Sequence, residues 1–195
     1  MHKNLIKEPQ SSFLSCEKDT EIILRKLFVD SKPHSDVLKK LLTIPMKDCL
    51  TKDGKNAILY NEKIKNMGLS QLIKDGYLIT KPRVDLTEHE EVKSYIAIHF
   101  DEFTPNEQNP QFRDCTVVIT IMCHTQYWNI DDYQSRPLKI AGYIDGILNN
   151  EKLTGIGQFN FWYCNQVTFN PDLSGYILAY RAIHGSDDII PPQED

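Results

Sequence analysis

The sequence predicts an α+β domain in which a four-stranded antiparallel sheet packs against two to three helices, with an inserted loop region. Apolar residues recur at helical spacing in the first quarter of the chain. After residue 93, four segments rich in β-branched and aromatic residues form two pairs, and a helical pattern separates the pairs. Helices covering one face of such a sheet form a stable two-layer arrangement. The 195 residues fit a single domain, residues 1–195.

Two short amphipathic helices are predicted to follow a polar N-terminal arm, residues 1–14. The first helix begins with Asp19 or Thr20 as its N-cap. It carries four apolar residues on one face: Ile23, Leu24, Leu27 and Phe28. Pro33 ends this helix. A second helix, capped by Ser35 or Asp36, carries Val37, Leu38, Leu41 and Leu42.

Residues 46–92 form an insertion or extended loop region, because lysine, aspartate, asparagine and glycine dominate it. Short apolar clusters interrupt it at residues 57–60 and 77–79. A long connection inside a compact domain is usually functional or inserted. The alternative is that a helix and a small hairpin in this region complete the main core. The sequence leaves both interpretations open.

The sheet is predicted as two hairpins with a helix between them. The first hairpin pairs residues 94–100 with 116–124, and the second pairs residues 158–163 with 175–182. Asp131 or Asp132 is the expected cap of the intervening helix, which runs to about Asn149 and has Pro137 in its first turns. A C-terminal tail, residues 186–195, follows the last strand.

The last hairpin carries large apolar groups on both of its faces. Strand alternation places Phe159, Phe161 and Tyr163 on one face, and Asn160 and Trp162 on the other. Helices can cover only one face, so part of the other is predicted to pack against another subunit. In the C-terminal tail, Ile189 and Ile190 can dock on a neighbouring subunit. The predicted subunit interface comprises Phe159, Phe161, Trp162, Tyr163, Tyr176, Ile189 and Ile190.

The sequence contains no strong catalytic or metal-binding motif. A zinc site is one possibility, because thiol and imidazole groups suit this metal. The candidate ligands are Cys123, His124, His99, Asp101 and Cys164. Their spacing along the sequence is not that of a zinc-binding motif. Carboxylates that could hold a hard cation lack a basic partner at a fixed distance; they are Asp101, Glu102, Asp131, Asp132, Glu88, Glu90 and Glu91. No Gly-x-Ser-x-Gly sequence is present. We therefore predict no catalytic residue, no cofactor and no metal.

Cysteine spacing, hydropathy and net charge argue against a secreted disulfide-rich protein, a membrane protein and a general nucleic-acid binder. Five widely spaced cysteines are expected to be reduced thiols. No segment has the length and apolarity of a membrane span, and the start lacks the apolar region of a signal peptide, so a soluble intracellular protein is expected. A net charge of -5 argues against a general nucleic-acid binder.

The C-terminal half has a distinctive order of elements. A strand at residues 117–124 precedes an amphipathic helix at 138–149, a Gly-x-Gly turn and a final hairpin that ends with residues 175–180. Together with the strand at residues 95–100, this pattern resembles the tail-terminator and tail-completion proteins of tailed bacteriophages. The resemblance is one of pattern and not of invariant motif.

The resemblance implies a structural virion protein, and not an enzyme, at the phage head-tail junction. It implies a homo-oligomeric ring, a hexamer by expectation, that contacts the tail tube and the portal or neck proteins. DNA would pass through the lumen without specific binding, repelled by acidic residues such as Asp101 or Glu102. The implied location is the tail or neck of the virion, assembled in the host cytoplasm. A metal-dependent hydrolase or nuclease, and a small non-viral protein-binding module, remain alternatives.

Overall fold

The computed structural model shows a mixed α+β domain. It describes residues 13, 16–51, 58, 60–80, 92–107, 113–130, 133–153 and 156–184. Several predicted features lie outside the described residues: the N-terminal arm apart from Phe13, the acidic run at residues 88–91, Asp131, Asp132, and the tail with Ile189 and Ile190.

The two N-terminal helices form where they were predicted, but their caps differ. Helix α1 (Cys16–Arg25) continues into a one-turn π-helix (Lys26–Asp30), and α2 spans His34–Thr43. The predicted apolar face of the first helix is confirmed, because Ile23, Leu24, Leu27 and Phe28 are all buried. The predicted N-caps are wrong. Asp19 and Thr20 lie inside α1, and α2 begins after Pro33, whose carbonyl accepts from the Asp36 N–H at 3.1 Å.

The described part of residues 46–92 packs into the main core. It contains a π-helical turn (Tyr60–Ile64), helix α3 (Leu69–Lys74) and a two-residue strand, β1 (Leu78–Ile79). Five of its residues join the core: Cys49, Tyr60, Ile64, Leu72 and Leu78. The described residues of this region thus contribute to the core, as in the second interpretation, but among them β1 pairs with β2 and forms no hairpin.

The central sheet has five strands: β1, β2 (Ser94–Pro105), β3 (Arg113–His124), β6 (Asn160–Thr168) and β7 (Leu173–His184). Their order across the sheet is β1-β2-β3-β7-β6. Strand β1 lies parallel to β2, and the other neighbouring strands are antiparallel. The α+β class is confirmed, but the four-stranded antiparallel sheet is wrong in strand number and in the direction of β1. The predicted two to three helices are also too few, because the described residues include four α-helices. A two-residue strand is too short to show an alternating pattern.

Helix α4 (Arg136–Leu148) connects β3 to the second hairpin. Its N-cap is Ser135, whose side-chain oxygen accepts from the Leu138 N–H at 3.3 Å, and Pro137 lies in its first turn as predicted. A cap at Asp131 or Asp132 is wrong, because the helix begins several residues later. A small separate hairpin, β4 (Lys152–Leu153) and β5 (Gly157–Gln158), leads from α4 into β6.

A buried arginine joins α4 to α2. The side chain of Arg136 is 1% exposed, and its guanidinium donates to the carbonyls of Leu41 (2.6 Å), Ile44 (3.0 Å) and Met46 (2.6 Å). A further bond reaches the carbonyl of Tyr127 at 2.9 Å. Carbonyls at the end of a helix lack partners within the helix, so this guanidinium acts as the C-cap of α2.

The helices cover one face of the sheet, and a smaller apolar cluster lies on the other. This second cluster contains Tyr95, Ala97, Met122 and Leu173, with Ile79 and Phe169 packed against it. Among the described residues, no helix has the length and apolarity that crossing a membrane requires.

Candidate assembly surface

Strand β6 forms one edge of the sheet, and β7 is its one strand partner among the described residues. None of its nine residues is buried. The strand also contains no charged residue, glycine or proline. Natural proteins usually protect an exposed edge with charge, proline or a covering segment, because its unpaired backbone groups can bind another strand. Strand β6 is therefore the candidate assembly surface of this domain.

The start of β6 is covered by the segment that follows α4. The Phe161 N–H donates to Asn149 Oδ1 at 3.2 Å, and the Asn150 N–H donates to the Phe159 carbonyl at 2.8 Å. The Phe159 N–H in turn donates to the Glu151 carbonyl at 2.9 Å. In residues 162–168, no described backbone group other than those of β7 bonds to the strand. We call residues 162–168 the open edge.

The predicted interface residues occupy different environments. Phe161 is 44% exposed and Trp162 is 38% exposed, so both lie at the surface, while Tyr163 and Tyr176 are half-buried. Phe159 is fully buried. Its assignment to a subunit surface is therefore wrong. The bonds to Asn150 and Glu151 hold its backbone beside the end of α4, and its ring packs in the core.

A β-bulge changes the faces predicted for the aromatic residues. Phe161 pairs with Tyr180, but Tyr163 pairs with the next residue along β7, Ala179, so Trp162 is an extra residue in β6. Residues directly opposite in a sheet share a face. Phe161 therefore lies on the helix-covered face with Tyr180, and Tyr163 lies on the opposite face with Ala179. Their predicted placement on one face is wrong.

The bulge residue Trp162 stacks against an arginine for which no role was predicted. The guanidinium carbon of Arg181 lies 4.3 Å from the centre of the Trp162 ring, within cation-π range. Arg181 is exposed, and no carboxylate of the described residues forms an ion pair with it. A single charge within an otherwise apolar strand was the signal that could have identified it.

The other side of the sheet is protected against pairing. Strand β1 covers β2 only at Ile96 and Ala97. Beyond them, β2 carries two exposed acidic residues, a bulge and a terminal Pro105. Within the bulge, Glu102 has a positive φ of 54°, and Asp101 Oδ1 accepts from its N–H at 2.8 Å. Charge, bulges and proline are established means of keeping a sheet edge unpaired.

A polar cavity of about 660 Å³ lies at one end of the sheet. Its lining includes the carboxylates of Glu102 and Asp114 and the cation of Arg181, and Glu102 Oε2 accepts from Thr116 Oγ1 at 3.0 Å. Cys115 also lines it, but burial raises the pKa of this thiol to about 12. A thiol with so high a pKa is protonated near neutral pH and is a poor nucleophile.

The candidate metal ligands do not converge. His99 pairs with Val118, which precedes His124 by six residues on β3, so the two imidazoles belong to positions roughly 20 Å apart along the strand. Cys123 is buried, and its burial raises the pKa of the thiol to about 12. Cys164 lies two strands away on β6. Within the part of the chain that the structure describes, no three such side chains are grouped to hold a metal ion.

Comparison with known protein families identifies a family for most of the chain. A protein family model described as YomW matches residues 35–182. The matched segment includes α4 and nearly all of α2 and of the five-stranded sheet. No curated protein matches the chain.

Proposed function

Because this chain belongs to the YomW family, we propose that it is a structural protein of a phage particle. YomW is the name of a phage-like protein of a Bacillus prophage, which is consistent with a phage origin and specifies no part of the particle. The position we propose is the head-tail junction. There the chain forms a ring that terminates the tail tube or joins it to the neck.

The open edge carries this proposal. A protein that assembles with copies of itself or with neighbours needs an exposed surface that water does not strongly favour. Residues 162–168 carry no charged side chain, and no described residue outside β7 bonds to their backbone groups. Trp162 within this segment and Phe161 next to it add exposed aromatic rings.

The proposed partners are other copies of the chain in a ring, a hexamer by expectation, the tail tube, and the portal or neck proteins. DNA is proposed to pass through the lumen without being bound. The net charge of -5 on each copy supports this proposal, because a ring multiplies it and like charge repels the DNA backbone. Asp101 and Glu102 are exposed and suited to face such a channel.

We propose no enzymatic role. A metal-dependent hydrolase would need His99, His124 and their neighbours in one pocket, and the register of β2 and β3 holds these two histidines apart. The polar cavity contains carboxylates, but the thiol at its wall is protonated at neutral pH. These features favour a structural role over the enzymatic alternative.

Imaging of the particle tests the proposal. Phage particles whose genome encodes this chain are purified, labelled with antibody against it and examined by electron microscopy. We expect label at the head-tail junction and, in particles from a deletion mutant, unjoined heads and tails or tails of uncontrolled length. Absence of the chain from purified particles would overturn the structural role. Label confined to another part of the tail would contradict the proposed position at the head-tail junction.

A further inference from the structure

We propose that the free protein is a twofold dimer in which β6 of one copy pairs antiparallel with β6 of a second copy, centred on Asn165. This inference goes beyond the proposed function, because it concerns the chain before it meets a particle. The second copy would cover the open edge, which is otherwise exposed to adventitious strand pairing.

The composition of the open edge suits pairing with itself. When a strand meets a copy of itself, every charged residue near the centre faces a like charge, and like charges directly opposite are destabilising. The open edge contains none. The opposite side of the sheet offers a poorer partner for β6, because β1 has only two residues and β2 carries Asp101, Glu102 and a bulge. The geometry therefore favours an isologous contact over continuation of the sheet into the other edge.

The length of the open edge fixes the centre of the pair. Coverage by Asn149 and its neighbours ends at Phe161, and the strand ends at Thr168. Full overlap of two copies of residues 162–168 places Asn165 opposite its own counterpart. Cys164 then lies opposite Gln166 of the other copy, on the helix-covered side of the sheet, where their β7 partners are Leu178 and Tyr176.

The charges at the two ends of the open edge agree with an antiparallel arrangement. Arg181 stacks on Trp162 at one end, and Asp172 lies in the turn that follows the other end. Both side chains belong to exposed residues, and neither has an ion-pair partner among the described residues. Antiparallel pairing brings the basic end of each copy toward the acidic end of the other, whereas parallel pairing brings like ends together.

Charge substitution at the centre tests the twofold contact. Asn165→Lys and Asn165→Glu each place two like charges opposite one another, so each variant alone is expected to be monomeric by sedimentation velocity, whereas wild type is dimeric. An equal mixture of the two variants is expected to form heterodimers, because the charges are then opposite. Ser70→Lys and Ser70→Glu, on the exposed surface of α3, are matched controls and are expected to remain dimeric.

Thiol cross-linking tests the register. In Gln166→Cys, the introduced thiol lies opposite Cys164 of the other copy, and mild oxidation is expected to give a disulfide-linked dimer. Position 167 lies opposite Tyr163 on the other face, so Val167→Cys is expected to give little linked dimer. If the wild type is monomeric, or if the Asn165 variants remain dimeric, the proposed β6–β6 contact is wrong. If cysteines at positions 166 and 167 cross-link equally, the proposed register is wrong. None of these results bears on whether the chain is found in particles.

Discussion

The guanidinium of Arg136, at the start of α4, donates a 2.6 Å hydrogen bond to the backbone carbonyl of Leu41 near the end of α2. Its bonds to the carbonyls of Ile44 and Met46 belong to the same junction. A charged donor satisfies these helix-end acceptors in a place that water does not reach. One side chain therefore sets how the two helices meet.

Replacement of this arginine is expected to be costly. Arg136→Met removes the donors and leaves buried carbonyls without partners, so we expect the free energy of unfolding to fall by about 3 kcal/mol. Arg25→Met, on the exposed surface of α1, is the control and is expected to change stability by less than about 0.5 kcal/mol. Urea-induced unfolding measures both variants. Equal stabilities for the two would contradict the role assigned to Arg136.

Gly175 is predicted to tolerate no side chain. A Cβ atom at this position of β7 would overlap the backbone carbonyl of Ile121 on β3, and backbone in the middle of a sheet cannot move aside cheaply. Gly175→Ala is expected to lower stability by more than about 3 kcal/mol or to prevent folding. Gly142→Ala on α4, where an added Cβ meets nothing within 4 Å, is the matched control. It is expected to be neutral or stabilising by up to about 1 kcal/mol in thermal unfolding.

The Tyr180 hydroxyl is predicted to stabilise the packing of β7 on α4. It donates to Asp145 Oδ1 at 3.1 Å, and burial, followed by the charge of Asp145, raises the pKa of this phenol, so it remains a protonated donor. Tyr180→Phe is expected to lower the free energy of unfolding by about 1 kcal/mol. Tyr143→Phe, at a half-buried position of α4, should have little effect. The comparison uses chemical denaturation at pH 7, and similar losses in both would argue against this bond.

Two buried thiols are predicted to make the fold sensitive to alkali. Burial raises the pKa of Cys115 and Cys123 from 9.0 to about 12. Since the folded-state pKa is the higher one, their contribution to stability is complete below about pH 9 and is lost as the pH rises toward 12. The melting temperature should fall over this window. The slope should be shallower in a variant that carries Cys115→Ala and Cys123→Ala, and an unchanged slope would count against these thiols.

The elements that could be predicted from the sequence are those in which apolar residues repeat at regular spacing. The buried face of α1 and the strands β2, β3 and β7 repeat their pattern over many residues, and each was located from it. A two-residue strand such as β1 has no repeat, so the sheet was predicted with one strand too few. The start of α4 was misplaced because Asp131 and Ser135 are both good N-caps, and the choice between them depends on where tertiary contacts begin.

The candidate surface was only partly predictable for a related reason. Surface positions for Phe161 and Trp162 were predicted from strand alternation, but strict alternation fails wherever a bulge adds a residue. Phe159 was misassigned, because its ring packs beside Tyr180 in the core while its backbone bonds to the segment after α4. No local pattern records these contacts. The stacking of Arg181 on Trp162 joins residues of two different strands. Three of the four bonds of Arg136 reach residues about ninety positions earlier in the sequence.

The attachment of β6 to Asn149 also determines how the molecule would carry mechanical load. A force applied along β6 loads all of its backbone hydrogen bonds with β7 in shear, so many of these bonds must break at once. The Asn149 contact passes part of that tension to the end of α4, and the opposite end of α4 is fastened to α2 through Arg136. Force applied at the edge of the sheet would thus reach the far helices through a continuous chain of hydrogen bonds.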